Sequence, residues 1–498
     1  MQLLGALYLL STALLALYGL SLLAHVGVYW WQRRPGRGLF PAEHAATLPD
    51  DNSLPSVTVQ LPIYNERHVA ARLINAVAGL DWPVDRLHVQ VLDDSTDDTT
   101  AVIAAALTHY AARGWRAEHV RRSSRMGYKA GALQHGLASS SADFVAIFDA
   151  DFVPPADFLR RMIPCFADPS VACVQARWGH INAEASGFTQ AQALGFDGHF
   201  IVEKQARHAV GAFIHFNGSA GVWRRAAIDA AGGWQADTLT EDLDLSYRAQ
   251  MAGWRIAYRG DIVIPAELPV QVDAFKRQQH RWAKGSTQTA VKLLGPLWRA
   301  PQPFWRKVTG TLHLTNYFAH PLMLLNLLLM LPASRLHGLP SAVGLLLGLA
   351  ALAAPLMYLT AMDVQAVPWP ARPGRLATLI LLGTGLSVNN TRAAFEGLAD
   401  VGDNVFQRTP KFAVGARAGF WQASTYALPR APIVWAELGL AAYALGLATH
   451  FAARGAWGLA VWPLLYVASY GYLACMSLVQ ARRVRTAHAQ HGMQGVQP

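Results

Sequence analysis

Asp149 and Asp151 stand two apart in FDAD, directly after an apolar run. An isolated pair of this kind is commonly a turn or a solvated surface. At a strand end, however, paired carboxylates can share a hard cation, Mg²⁺ or Mn²⁺, that neutralises a diphosphate. Such neutralisation is what transfer of a sugar requires, because charge grows on a departing nucleoside diphosphate as its bond breaks. In LDDSTDD, at 92–98, Asp93 and Asp94 close another run and are placed to accept hydrogen bonds from a base or ribose. The residues after them suit a helix first turn. Pro62, Tyr64, Asn65 and Glu66 of PIYNE follow a third run and complete a nucleotide pocket. TEDLDL at 240–245 opens a helical stretch, so Glu241 and Asp242 read either as helix-capping acids or as the source of a general base. A base here would take the proton of an attacking hydroxyl. QQHRW supplies the counterpart: Gln278, Arg281 to face diphosphate oxygens bidentately, and Trp282 to stack on a sugar ring.

Positioning these groups calls for a particular set of elements. Runs at 56–61, 87–92, 116–120 and 143–149 read as short strands, separated by Ala-rich helical stretches near 66–80, 98–112 and 128–139. Strand–helix alternation predicts an α/β domain with a mostly parallel sheet, in which ligands bind at the carboxyl ends of the strands. The acids sit at those ends. No GxGxxG follows a strand and no GxxxxGK[ST] occurs, which excludes the dinucleotide-binding and P-loop readings.

Hydrophobic residues make up 52% of the 498, and charged residues 15%. The apolar excess gathers in the first thirty residues and after 307, around a mixed middle the size of one domain. Residues 3–28 are long enough to cross a bilayer, and Trp30, Trp31, Arg33, Arg34 and Arg37 follow them. That order predicts an uncleaved anchor (1–31) with the next domain, 50–300, in the cytosol. Further spans are expected at 308–331, 341–361, 432–452 and 457–479, with a tight turn around Pro332–Pro340. The stretch 376–396 is expected to be an interfacial helix, and 481–498 a cytosolic tail. The net charge of +10 lies largely beside these segments, which predicts a lipid-facing role and no nucleic-acid partner. Three scattered cysteines form neither a disulfide framework nor a zinc site.

PIYNE, LDDSTDD, KAGAL, FDAD, QARW, FNGSAGVWRR, AGGW, TEDLDL and QQHRW occur in the order seen in processive family 2 glycosyltransferases. The chain resembles cellulose synthases, and most of all the cellulose synthase-like mannan and glucomannan synthases and their bacterial relatives. The resemblance implies a GT-A (Rossmann-like) fold joined to transmembrane helices, and inversion at the anomeric carbon. It assigns Asp94, with Asp93 beside it, to the nucleotide, Lys129 to the donor, and Asp149 with Asp151 to metal and diphosphate. Asp242 becomes the general base, and Gln278, Arg281 and Trp282 the acceptor and pyrophosphate end. FQRTPK at 406–411, within a polar loop at 401–430, is similar to the family's gating loop, with Thr409 and Lys411 at the matching positions. Cellulose synthases carry more membrane segments before the catalytic domain, and bacterial ones an attached cyclic-dinucleotide-binding domain. Neither is read here.

The expected activity is transfer of a hexose from GDP-mannose or UDP-glucose to the end of a growing β-linked polysaccharide, at a bacterial inner membrane. An accessory export protein or a second copy of the chain is a further expected partner. A non-processive transferase acting on a membrane glycolipid is the alternative, and an inactive scaffold the reading from a different class. The retention of Asp94, Asp149, Asp151 and Asp242 speaks against the scaffold. His313, Asn316 and His320 share one face of the 308–331 segment, where they either line a sugar path or hydrogen-bond between helices.

Overall fold

The computed structural model describes residues 2–34, 50–115, 117–334, 341–399, 406–414 and 420–494. Arg37, the turn beyond 334 and parts of the 401–430 loop lie outside the described residues. Seven strands form one sheet: β1 (Val57–Ile63), β2 (Leu87–Asp93), β3 (Glu118–Arg121), β4 (Phe144–Ile147), β5 (Val171–His180), β6 (Gly221–Arg224) and β7 (Arg255–Ala266). Their order is β3-β2-β1-β4-β6-β5-β7. The first four, those legible as strands in the sequence, pair in parallel. β6 runs antiparallel to β4 and β5, and β7 returns parallel to β5.

The central strands are covered on both faces, which is why β1 and β2 read as near-continuous buried runs. Two polar residues inside them pair with each other: Gln60 donates to Gln90 at 3.1 Å and to the Leu133 carbonyl at 3.2 Å. The helix Tyr128–Ala138 passes so close above them that a Cβ on Gly136 would lie 2.5 Å from Gln60. That close approach fixes the height of Lys129, which this helix carries in its first turn. At the far end of β1 the chain turns through Asn65 at a φ of 54°, whose side chain accepts from the Thr96 amide at 2.8 Å. The turn locks the loops after β1 and β2 side by side and sets the spacing of Glu66 and Asp94.

The long helix Val272–Arg299 carries QQHRW and packs against Glu241–Met251, Phe304–Leu314 and Ser387–Ala399. Its anchor is an ion pair: Lys276, 2% exposed, reaches Glu437, fully buried, at 2.7 Å and Ser477 at 3.1 Å. Removing one partner leaves the other charge buried alone, at a cost of about 3–5 kcal/mol. Lys276→Met is therefore expected to lower the thermal midpoint in detergent, and Lys276→Met with Glu437→Gln to recover much of the loss.

Among the described residues, three helices are long and apolar enough to cross a membrane: Leu3–Gln32, Asn316–Ser334 and Trp457–Gln490. The expected 308–331 segment is broken at Thr315 into Phe304–Leu314, a short turn and Ala319–Ser334. Helices also cover Ser341–Val364 and Val434–Ala452. The 376–396 stretch is two helices, Arg372–Gly385 and Ser387–Ala399, where the sequence reads as one. The first packs on helices Gly187–Asp197 and Trp457–Gln494, and the second on Val272–Arg299.

Candidate active site

One cavity at the carboxyl ends of the strands collects nearly every residue singled out from the sequence. Pro62, Tyr64 and Glu66 enter after β1, Asp94 after β2, Asp149 and Asp151 after β4. Lys129, Glu241 and Asp242 come from helix N-termini, Gln278, Arg281 and Trp282 from the long helix, and Thr409 and Lys411 from the loop above. Asp93 is not among the lining residues. Its carboxylate, 1% exposed, accepts from the Ser95 amide at 2.9 Å and the Thr100 hydroxyl at 2.8 Å and meets His119 at 3.0 Å. It ties β2 to β3 and to the next helix.

Asp242 follows the first residue of its helix, but it does not serve as a cap for that helix's start. Thr240, which precedes the helix, pairs instead with Thr289 at 3.0 Å, and Asp242 accepts from the Leu243 amide at 2.9 Å. Asp244, two residues on, is bound by Arg248 at 2.6 Å and Lys292 at 2.9 Å. Asp242 has no such ion pair among the described residues and faces the cavity. Its neighbour is Gly218 at a φ of 82°, where a Cβ would lie 3.0 Å from the Asp242 carboxylate and 3.3 Å from the Lys129 ammonium. Lys129 itself donates to Asp149 and, at 2.8 Å, to the Gly218 carbonyl, and stands 3.9 Å from Glu241.

Burial raises Glu241 to about 7, opposed by Lys129 and helped by the charge of Asp242. Burial likewise raises Asp242, again opposed by Lys129. A raised carboxyl holds its proton as pH falls, so the base form is lost on the acid side. With Asp242 as base, kcat/KM is expected to fall about tenfold per pH unit on the acid side of its raised pKa and to level off above it. Lys129→Met should move that limb to higher pH, because the charge opposing the rise is gone.

The donor side is cationic. Arg281 stacks on Phe406 with its guanidinium 4.5 Å from the ring centre, and Arg125 lies 3.3 Å from the centre of Tyr64. Arg281 Nε, Arg408 Nη1, Arg125 Nε, Thr409 Oγ1 and Gln278 Oε1 are all buried without a hydrogen-bond partner among the described residues. Five orphaned polar atoms around one cavity fit a polar, anionic ligand that supplies their partners. The loop is held down over it. Lys411 binds Asp151 at 2.7 Å and the Glu267 carbonyl, while the Phe412 amide donates to the Glu267 carboxylate at 2.8 Å.

Among the described residues no three His, Cys, Asp or Glu side chains converge as a metal cage. The donor set still fits Mg²⁺ or Mn²⁺, which commonly bind through one or two carboxylates plus substrate phosphates. Among the described residues, Asp149 and Asp151 each keep one oxygen without a protein donor: Lys129 takes one oxygen of Asp149, and Lys411 with the Glu267 amide takes one of Asp151. Burial and the charges of Asp151 and Asp149 raise Glu66 to about 8, with Arg408 opposing. This wall therefore has acid to spare.

Several lining residues escaped the sequence reading. Arg125, Arg408, Phe406 and Asn217 carried no strand-end signal. Asp94 is held by Arg122, whose Nε donates at 2.9 Å. Glu267 directly follows β7, so the rule that located the other acids applies to it once β7 is recognised as a strand.

A mostly parallel sheet with donor-side acids at its strand ends and a buried carboxylate opposite them defines a GT-A glycosyltransferase domain. Residues 55–285 match the family described as "Glycosyltransferase like family 2", and this part of the chain is a family 2 glycosyltransferase domain. The family resemblance drawn from the ordered motifs is thereby borne out. Glucomannan 4-beta-mannosyltransferase 2 of Arabidopsis thaliana is 42% identical over 285 residues, 56% of this chain and 53% of its own. Glucomannan 4-beta-mannosyltransferase 1 of Oryza sativa subsp. japonica is 42% identical over 294 residues, 57% and 56% of the two chains. The chain thus spans about half the length of the curated relatives it matches. A mannosyltransferase from Pyrobaculum calidifontis, solved in complex with GDP-Man and Mn²⁺, aligns with a TM-score of 0.51 at 23% identity. That alignment covers 78% of this chain and 99% of the other, and it shows the fold.

Proposed function

We propose that the protein is a membrane-embedded, inverting hexosyltransferase that moves mannose from GDP-mannose onto the end of a growing β-linked glycan. The observation that carries this reading is the position of Asp242. It lines both the donor cavity and a second cavity of about 430 Å³ bounded by Trp282, Asn217, His313, Asn316 and His320. An acceptor entering through the second cavity presents its hydroxyl between Trp282 and Asp242. The hydroxyl oxygen attacks the anomeric carbon, its proton passes to Asp242, and the bond from that carbon to the diphosphate oxygen breaks. Attack opposite the leaving group inverts the centre. Arg281 and Arg408 face the charge that grows on the diphosphate, and Asp149 with Asp151 would hold Mg²⁺ or Mn²⁺. When bound, that cation supplies charge neutralisation to the leaving group. Phe406, Thr409 and Lys411 close the site and exclude water, which would otherwise hydrolyse the donor.

The preference for GDP-mannose over UDP-glucose rests on the plant relatives, whose names specify mannosyl transfer. His313 hydrogen-bonds Tyr247 at 2.8 Å and His320 hydrogen-bonds Asn390 at 2.9 Å, while both still line the second cavity. Of the two roles weighed for this face, interhelical bonding is thus present and a sugar path remains open beside it. With Leu3–Gln32 as an N-terminal anchor, the catalytic domain lies on the cytosolic side, and we assign the protein to a bacterial inner membrane.

The test is radiolabelled transfer by the solubilised protein, offered GDP-mannose, UDP-glucose or UDP-N-acetylglucosamine with Mg²⁺ or Mn²⁺. The expected product is long and β-mannanase-sensitive. Chelation should abolish its formation, and either cation should restore it. A short, chloroform-extractable product would make the protein a glycolipid transferase, and transfer only from UDP-glucose would overturn the donor assignment.

A further inference from the structure

Two imidazoles from distant parts of the chain line the second cavity: His215, after the helix Gln205–Ala209, and His320, on Ala319–Ser334. In both rings Nδ1 is buried and has no hydrogen-bond partner among the described residues. In both, Nε2 meets an asparagine amide nitrogen: Asn217 Nδ2 lies 3.0 Å from His215, and Asn390 Nδ2 lies 2.9 Å from His320. A neutral imidazole carries one hydrogen, and the nitrogen that accepts a bond leaves that hydrogen on the other. The way each asparagine faces therefore decides what its histidine offers to the cavity. Burial, joined by the charge of Lys204, holds His215 well below the usual imidazole range, which keeps it in the neutral form that can accept.

Each asparagine is turned by groups whose own direction of bonding is fixed. Lys204, buried at the end of the π-helical turn Gly198–Lys204, donates to Asn217 Oδ1 and, at 2.7 Å, to the His215 carbonyl. Burial lowers this ammonium to about 7, yet the neutral amine still has two hydrogens for its two acceptors. Asn217 Nδ2 also lies 3.4 Å from His199 Nε2, and His199 turns its Nδ1 to the Glu203 carboxylate at 3.0 Å, so that ring accepts from Asn217 as well. Both neighbours thus hold the Asn217 nitrogen toward His215. On the other wall the fixed group is the Lys276 carbonyl, which takes Asn389 Nδ2 at 3.0 Å. Asn389 Nδ2 also donates to Asn390 Oδ1 at 3.0 Å, leaving the Asn390 nitrogen toward His320. Two independent relays therefore end in the same way, with a buried Nδ1–H and no acceptor for it. We propose that His215 and His320 are acceptor-binding residues, each presenting Nδ1–H to an oxygen of a sugar ring in the second cavity. The proposal rests on reading that cavity as the acceptor's. A glycan has oxygens for both donors, and an acyl chain has none. Lys204 and Asn389 act through the asparagines and are positioning residues.

The full chain would be reconstituted in nanodiscs with its histidines labelled by the heavy nitrogen isotope, the two rings being assigned by the signals lost in His215→Gln and His320→Gln. Solid-state NMR is expected to show hydrogen on Nδ1 of both, and both Nδ1 signals should shift when β-linked mannotetraose is added. Neither readout needs turnover, so a protein that transfers no sugar yet shifts both signals fails as the proposed transferase and keeps this site. In the transfer assay, Gln, whose amide reaches the Nε2 position, is expected to raise the KM for mannotetraose about five- to tenfold at either residue, the worth of one hydrogen bond. The effect on kcat and on GDP affinity should stay within about twofold. Asn, whose amide falls at the Nδ1 position, should restore most of the loss. Lys204→Met is expected to match His215→Gln in KM, to move the His215 hydrogen to Nε2, and to add little in the double variant. Should Lys204→Met fail to fold, Asn389→Leu makes the same test of the other relay through His320. Hydrogen on Nε2 in the wild type, signals unmoved by the tetraose (as when water alone meets the donors), or Gln and Asn variants alike in KM overturn the proposal.

Discussion

Asp242→Asn is expected to lower kcat for the proposed mannosyl transfer by about 10²- to 10⁴-fold while nucleotide affinity stays within about twofold of wild type. The amide keeps the shape of the side chain and its hydrogen bond from Leu243 but has no site for the acceptor's proton. Donor binding depends on groups across the cavity, Asp94, Arg281 and the strand-end acids, so titration with GDP should separate the two effects. Glu241→Gln is the companion. It sits 3.9 Å from Lys129 and shares the same burial, yet its expected loss is smaller because it supports the charge of Lys129 and does not take the proton. If Asn at 242 retains wild-type rates, or if Gln at 241 is the more damaging change, the base assignment fails.

The second large effect comes from a residue with no functional side chain. Gly218→Ala places a methyl 3.0 Å from the Asp242 carboxylate and 3.3 Å from the Lys129 ammonium, at a φ of 82° that alanine adopts only with strain. Strain alone costs roughly 1–2 kcal/mol of stability. The contact costs more in rate, since a displacement of about 1 Å at a catalytic group can lose about 10²-fold. Gly253→Ala separates the two. Gly253 has a φ of 96° and open space around its would-be Cβ, so alanine there brings backbone strain without intruding on a carboxylate. The expected pattern is similar melting temperatures for the two variants and a kcat loss in Gly218→Ala alone. A Gly218→Ala enzyme as active as Gly253→Ala would show that Asp242 has room to move.

Much of the site was legible because its acids end strands that are themselves easy to read. β1, β2 and β4 are short and apolar, so the Asp or Glu that follows each marks the ligand-binding edge. β5 and β7 were not read as strands. β7, RIAYRGDIVIPA, places Arg255, Arg259 and Asp261 along its length, and these charges are absorbed by ion pairs to Asp168 and within the strand that no local pattern announces. Missing β7 meant missing Glu267, the residue that fastens the loop. Arg125 was hidden for another reason. Its neighbours RRSSR look like a solvated turn, and only the folded chain brings its guanidinium over Tyr64. The break at Thr315 was equally silent, because the segment before it is amphipathic and the one after it uniformly apolar, and the two run together in sequence.

The salt bridge between Lys411 and Asp151 bears on how the enzyme waits between turnovers. Both side chains are 9% exposed, so Asp151 would otherwise be a buried carboxylate with little water around it. The loop thereby supplies Asp151 with its own counter-ion. In the proposed reaction, a divalent cation entering with the donor phosphates would take the place of that ammonium at Asp151. That would exchange one cation for another at the carboxylate, and the released lysine would be free to move toward the incoming phosphates. On the proposed function, loading the donor and releasing the loop would then be coupled through Asp151.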